Sequence, residues 1–366
     1  MNKIKEIISA LEKLAPPAYQ EGYDNSGLIV GDKNWETTGV LISLDTTEAV
    51  VLEAIRRNCN LIVSHHPIVF KGLKKLTGSN YVERTVALAL KNDIALYAIH
   101  TNLDHVEQGV NWKIAQKLGL KNVKILAPKS QLLQKLTTFV PTDDAYAVRQ
   151  ALFAAGAGEV GDYSQCSFSS QGVGTFLPGD STQPVIGQRG TLEHVNEIRI
   201  EVLLPSHLSA AVLLALNAAH PYEEVAYYLQ NVENTHQQVG AGAIGELPEA
   251  LDSEQFLAHL KESMSLPLVK HTAILGDKIK TVALCGGAGS FLLPKALSAS
   301  ADVFITGDYK YHEFFDADQR LMICDIGHYE SEVFTKDLLL DYLSGIFSNF
   351  ALCLSETNTN PVHYYH

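Results

Sequence analysis

Apolar residues fall at positions 4, 7, 8, 11 and 14, with Lys3, Lys5 and Glu12 among them. That spacing predicts an amphipathic helix over residues 1–17, not a secretion signal. Short, mainly apolar runs at 40–44, 60–64 and 94–99 predict strands buried on both faces. Helical spacing at 46–57, 82–91 and 110–118 alternates with them. Strand–helix alternation of this kind predicts a layered α/β domain.

The texture changes near Lys129. A strand is predicted at 135–140 and a helix at 143–155, capped by Asp143 or Asp144. The stretch 156–195 is rich in Gly, Ser, Thr and Gln and predicts loops and hairpin strands. A strand at 197–204, a helix at 206–219 behind Ser206, and a strand at 224–228 follow. The order β-α-β-β-α-β is the ferredoxin-like plan. A glycine-rich junction at 240–245 leads back to alternating helix and strand. The fold class predicted is α/β: a discontinuous layered domain, residues 1–126 plus 236–366, interrupted by an inserted ferredoxin-like α+β domain at 127–235.

Bulk properties narrow the function classes. The 366 residues suit about two domains, and 46% hydrophobic with 19% charged residues is ordinary for a soluble protein. The net charge of −13 argues against a nucleic-acid partner, because an acidic surface repels phosphate backbones. Five cysteines, an odd number and none in a CxxC pair, argue against a disulfide framework or zinc ribbon and for the cytoplasm. The longest apolar stretch, around 208–219, is too short and too interrupted to cross a membrane.

Three strand ends carry the chemistry. In Leu61-Ile62-Val63-Ser64-His65-His66-Pro67 a buried strand runs directly into two histidines. Ligands bind beyond the carboxyl ends of strands in open α/β sheets, and neutral imidazole suits Zn, Mn, Fe, Co or Ni. Adjacent residues in extended chain point opposite ways, so His65 and His66 can serve different metals. The alternative is one buried structural histidine and one exposed one. In His100-Thr101-Asn102-Leu103-Asp104-His105, Asp104 is either a carboxylate ligand or a helix cap, and His100 and His105 are candidates to orient a ligand or water. In Gly327-His328-Tyr329-Glu330-Ser331-Glu332, His328 and Glu332 stand four apart and share one helix face. Three His, one Asp and one Glu exceed one tetrahedral zinc and suit two cations roughly 3.5–4 Å apart.

Other segments add candidates. Gly287, Gly289 and Ser290, in Gly286-Gly287-Ala288-Gly289-Ser290, either present N–H groups to a substrate anion or form a turn needed for packing. His100, Lys310 and His312 are candidate acid–base groups. Tyr23–Gly27 either lines the cleft or is a turn, and the run 361–366 is either an unanchored tail or docks on a neighbour.

Together the motifs Tyr23-Asp24-Asn25-Ser26-Gly27-Leu28, Ser64-His65-His66-Pro67, His100-Thr101-Asn102-Leu103-Asp104, Gly286–Ser290, Ile305-Thr306-Gly307-Asp308, and Gly327-His328 with Glu332 resemble the GTP cyclohydrolase I type 2, or Nif-three-like, family. The resemblance spans both outer arms, and the insert resembles the PII-like or CutA-like domain of longer bacterial members. It implies a toroidal homohexamer with two divalent cations per subunit. The implied ligands are His65, His66, Asp104, His328 and Glu332, with Glu332 as bridge. The implied activity is hydrolytic opening of the guanine imidazole ring at C8 with release of formate. The alternative expectation is a non-catalytic metal-binding or regulatory scaffold whose insert senses a small molecule.

Overall fold

The apolar runs of the first arm pair side by side in the computed structural model, which describes residues 2–276 and 278–365. Met1, in the first predicted helix, and His366, in the C-terminal run, lie outside the described residues. The chain divides into two units, Met1–Ala127 with Gln238–His366, and Pro128–Gln237.

The first unit holds two sheets. One has the strand order Gly27–Val30, Ala95–Ala98, Leu61–Ser64, Gly39–Ser43, Ala351–Leu354. Its first pair is antiparallel and the others are parallel. The three middle strands are buried throughout, as continuous Val/Ile/Leu runs require when helices cover both faces. Ser43 lies opposite Ser64, and Ser64 opposite Ala98, so three neighbouring strands end level. The segments that follow them carry Asp45, His65, His66 and His100 to one end of the sheet.

The second sheet has the order Lys270–His271, Met322–Asp325, Val303–Gly307, Lys278–Ala288, His236–Asp252, Lys121–Lys129. Here too the ends are level: Ala288 faces Gly307, and Thr306 faces Asp325. Asp308 and the helix His328–Glu332 leave from that end. The predicted junction at 240–245 is instead part of the long strand His236–Asp252. Its glycines serve close approach: a Cβ on Gly242, at φ +65°, would lie 2.8 Å from the Leu284 carbonyl, and one on Gly245 would lie 3.0 Å from the Lys121 carbonyl.

The second unit follows the order β-α-β-β-α-β. Leu133–Pro141, Ser167–Phe176, Glu193–Pro205 and Tyr227–Asn231 form one antiparallel sheet, with helices Ala145–Ala154 and Ser209–Ala219. Leu136, Val140, Val148, Leu152, Ile200 and Val212 make its core. The stretch predicted as loops and hairpins contributes ten paired residues, Ser167–Phe176 against Glu193–Val202. The last strand falls at Tyr227–Asn231, a few residues beyond its predicted place.

Within the C-terminal run, Tyr364 OH donates to Glu330, and the residues just before the run are anchored on Glu53. Glu53, almost fully buried, accepts hydrogen bonds from Ser355 Oγ, Glu356 N, Thr357 N and Thr357 Oγ1 and pairs with Arg57. Burial raises its carboxyl, but these donors outweigh it and bring it down to about 2. A lowered carboxylate stabilises the fold fully above its ordinary value and loses that effect as pH falls through the folded value. Glu53→Gln is therefore expected to cost about 2 kcal/mol at pH 7. Urea denaturation should show the difference from the wild type shrinking as pH falls from about 4.5 towards 2. No helix among the described residues is long and apolar enough to cross a membrane, and all five cysteines are free.

Candidate metal centre

Residues from both arms of the first unit meet at the two level sheet ends. His65 and His66 follow the strand Leu61–Ser64, and Asp104 closes the short helix Thr101–Asp104. His328 and Glu332 stand at the two ends of their own helix, which follows Gly327 at φ +89°. His65 Nε2 lies 3.6 Å from Asp104 Oδ1 and 3.8 Å from Glu332 Oε1. His66 Nε2 lies 3.0 Å and His328 Nε2 3.1 Å from Glu332 Oε2, and the two imidazole nitrogens are 3.3 Å apart. Glu332 thus turns one oxygen to each of two sets of ligand atoms: His65 and Asp104, and His66 and His328. In each set, together with Glu332, the ligand atoms all lie within 4.8 Å of one another, a spacing that can hold a metal ion.

Each imidazole is oriented from behind. His65 Nδ1 donates to the Ile99 carbonyl at 2.9 Å, His66 Nδ1 to Asp45 Oδ1 at 2.7 Å, and His328 Nδ1 to Asp308 Oδ2 at 2.8 Å. With Nδ1 donating, every Nε2 is turned to the centre, and in the neutral ring it presents there the lone pair a metal ligand needs. Three acceptors then converge, His66 Nε2, His328 Nε2 and Glu332 Oε2, and only a proton or a cation between them relieves the repulsion.

The electrostatics follow from that convergence. Burial pushes His66 and His328 down, but hydrogen bonds to carboxylates outweigh it and carry them up to about 10 and about 9. Burial pulls His65 down to about 4, so its imidazole is neutral at pH 7. Burial and the neighbouring Glu332 charge raise Asp104 well above the usual carboxylate range. Burial also acts to raise Glu332, but the surrounding imidazoles hold it well below that range. His65 Nε2 and Asp104 Oδ1 are buried with no hydrogen-bond partner among the described residues. Their separation is too long for a hydrogen bond, yet it suits two ligand atoms bound to one cation, which sit about 3–4 Å apart when each bond is ~2.1 Å. The donor set therefore fits divalent cations.

The glycine loop backs this centre. Gly287 has φ +62°, and a Cβ there would overlap Glu332 Oε1. The N–H groups of Gly286, Gly287 and Gly289 are engaged by Asn111 Oδ1, Ser331 Oγ and Thr306 Oγ1. Ser290 opens the short helix Ser290–Leu292. With their N–H groups engaged inside the chain, Gly287 and Gly289 are not free donors to a substrate, and Gly287 leaves the room that the Glu332 carboxylate occupies. The acid–base candidates separate. His100 belongs to the cluster, its ring 5.2 Å from that of His65 and its Nδ1 2.8 Å from Asp24 Oδ1. Lys310 and His312 are exposed: Lys310 pairs with Glu313, and His312 lies edge-on to Tyr311. Neither lines the pocket of about 580 Å³ beside the centre, which is bounded by His66, His328, Asp45, Lys270, Tyr329 and Tyr364 among others. His105 turns away, towards the Tyr19 carbonyl and Glu21.

Sequence reasoning passed over Asp45, although it too follows a buried strand end, and over Asn111. The buried Asn111 amide donates to the Asp104 carbonyl and accepts from Gly286 N, tying the two arms together.

The chain has known relatives across nearly its whole length. The family model Duf34/NIF3 (NGG1p interacting factor 3) matches residues 2–361. A Bacillus subtilis protein named GTP cyclohydrolase 1 type 2 homolog is 37% identical over 98% of this chain and 97% of its own length. One of the same name from Halalkalibacterium halodurans is 40% identical over 88% and 87%. The crystal structure of a Bacillus cereus protein related to NIF3 superposes with a TM-score of 0.87 at 38% identity, covering 100% of this chain and 99% of that one.

Proposed function

Because the chain belongs to the Duf34/NIF3 family, we propose that it is a divalent-metal-dependent hydrolase with two cations per subunit, acting on a nucleotide or related small molecule. The observation that carries this reading is Glu332, whose two carboxylate oxygens face two different sets of ligand atoms. His65 and Asp104 would hold one cation, His66 and His328 the other, with Glu332 between them. Two such cations polarise a substrate oxygen and make a water nucleophilic near neutral pH.

The chain's own residues supply the rest. His100, oriented by Asp24, has its ligand atom within 4.8 Å of those of His65 and His66, close enough to serve as an acid–base group at the centre. Asp24 is held in that role by Thr101 and Ser26, whose hydroxyls donate to it at 2.5 Å and 2.9 Å. The pocket beside His66 and His328, at about 580 Å³, falls in the range of small-molecule sites. The names of the relatives direct the first test towards GTP, with ring opening and formate release as the reaction sought. Assembly as a toroidal homohexamer in the cytoplasm is part of the same proposal; sedimentation should give the mass of six 40.0 kDa chains.

The deciding experiment is metal analysis of the purified protein joined to a turnover screen over GTP and other nucleotides. We expect turnover that needs a divalent cation and that His66→Ala abolishes with the thermal melt retained. A folded protein that takes up no divalent cation would overturn the reading.

A further inference from the structure

The second unit holds a cavity of about 640 Å³ that is walled mainly by apolar side chains, with Phe139, Phe176, Tyr222 and Tyr228 among them. Glu197 lies in its lining although the residue is only 8% exposed. One of its oxygens accepts a hydrogen bond from Tyr222 OH at 2.9 Å, and the other has no donor among the described residues. Gly174 leaves the room for it: a Cβ there would overlap that second oxygen. Arg199, two residues along the strand and on the same face, also lines the cavity, but its guanidinium is paired with Glu201 at 2.5 Å. Glu223 and Glu224 also line the cavity. A buried carboxylate with one neutral donor lacks a counter-charge, and aromatic faces attract cations.

We infer that this cavity binds a small organic ammonium ion carrying an aromatic or branched apolar group, its nitrogen on Glu197 and its apolar part against the rings. A phosphate or carboxylate ligand would meet three glutamates against one arginine that is already paired with Glu201, and is disfavoured. The inference is independent of the metal centre, and its test leaves that centre untouched.

The full chain is titrated calorimetrically with phenethylammonium and, separately, with 3-phenylpropionate, which has a similar ring and chain but the opposite charge. Phenethylammonium should bind saturably and at least tenfold more tightly than phenylpropionate, and Glu197→Gln should weaken it at least tenfold with an unchanged melt. If Glu197→Gln does not fold, Tyr222→Phe, which removes only the neutral donor, should keep the preference for the cation. Equal binding of the two probes, or no saturable binding of the ammonium ion, would overturn the inference. So would a concentration-dependent rise in sedimenting mass that Glu197→Gln removes, since a second copy of the chain would then cover the cavity.

A separate observation carries a second inference, which rests on the metal reading above. Thr359 Oγ1 donates to Asp45 Oδ2 at 2.5 Å, and Asp45 Oδ1 accepts from His66 Nδ1 at 2.7 Å. Beyond it, Asn360 and Tyr364 anchor to Glu330 at 2.9 and 3.2 Å and, with Thr359, lay the C-terminal run along the centre. We infer that Thr359 is a positioning residue: it fixes Asp45, and through it the ring of His66. In Mn²⁺ titrations of the metal-stripped full chain, Thr359→Val should weaken one of the two binding events severalfold and leave the other alone. That is less than the ~10–100-fold expected when the direct partner Asp45 is removed. Thr359→Ser should restore the wild-type value. Unchanged Mn²⁺ affinity in Thr359→Val, with the wild type binding two ions, overturns this inference alone; a wild type that binds none overturns the metal reading and this inference with it.

Discussion

Glu332→Gln is expected to remove both cations at once. The carboxylate is buried, held well below its usual range by the imidazoles, and faces His65 with one oxygen and His66 and His328 with the other. An amide of the same shape removes the charge and turns an N–H₂ donor towards one set. The loss of affinity should be at least as large as the ~10–100-fold seen when a group behind a ligand is removed. The single-ligand variants give the contrast. His65→Ala should lose the cation of its own set and keep the other, and His328→Ala the reverse. Metal-to-protein ratios after gel filtration, measured by elemental analysis, check all three variants together.

Gly287→Ala has the second largest expected effect, although glycine carries no ligand atom. Its φ of +62° strains any side chain by ~1–2 kcal/mol. Its methyl would also overlap Glu332 Oε1 and lie 3.3 Å from His328 Cε1. Glu332, packed on all sides, has no free direction in which to yield. The variant should melt at a lower temperature and take up fewer cations. Gly22→Ala, where a Cβ would meet nothing within 4 Å and φ is ordinary, should do neither. Thermal melts with and without added Mn²⁺ separate the two effects: the metal-dependent rise in melting temperature should survive in Gly22→Ala and shrink in Gly287→Ala.

The five clustered residues were legible in the sequence because each lies just past a buried apolar strand, and strand ends in layered α/β sheets face a common crevice. Level strand ends then bring His65, His66 and Asp104 from one arm to His328 and Glu332 from the other. What lay hidden depends on partners distant in the chain. Asp45 orients His66 from 21 residues away, and Asn111 joins Asp104 to Gly286 across 175. No local spacing signals such pairs. Asp308 sits in a motif read from the sequence, but its partner His328 became visible only in three dimensions. Gly287 read equally well as an anion-binding turn or a packing turn, since glycine is needed for both; the position of Glu332 decides it. Lys310 and His312 follow a buried strand like the true cluster members, yet the helix Tyr311–Ala317 leaves them in solvent. The strand Ala351–Leu354 has too few residues to show a period and is defined by its parallel partner Gly39–Ser43.

Crystals soaked in Mn²⁺ or Zn²⁺ and measured at the metal's absorption edge offer the most direct test of a shared carboxylate between two cations. Two anomalous peaks about 3.5–4 Å apart should flank Glu332, one against His65 and Asp104 and the other against His66 and His328. A single peak, or peaks away from Glu332 while the protein remains folded, would contradict the dinuclear centre on which the functional reading stands.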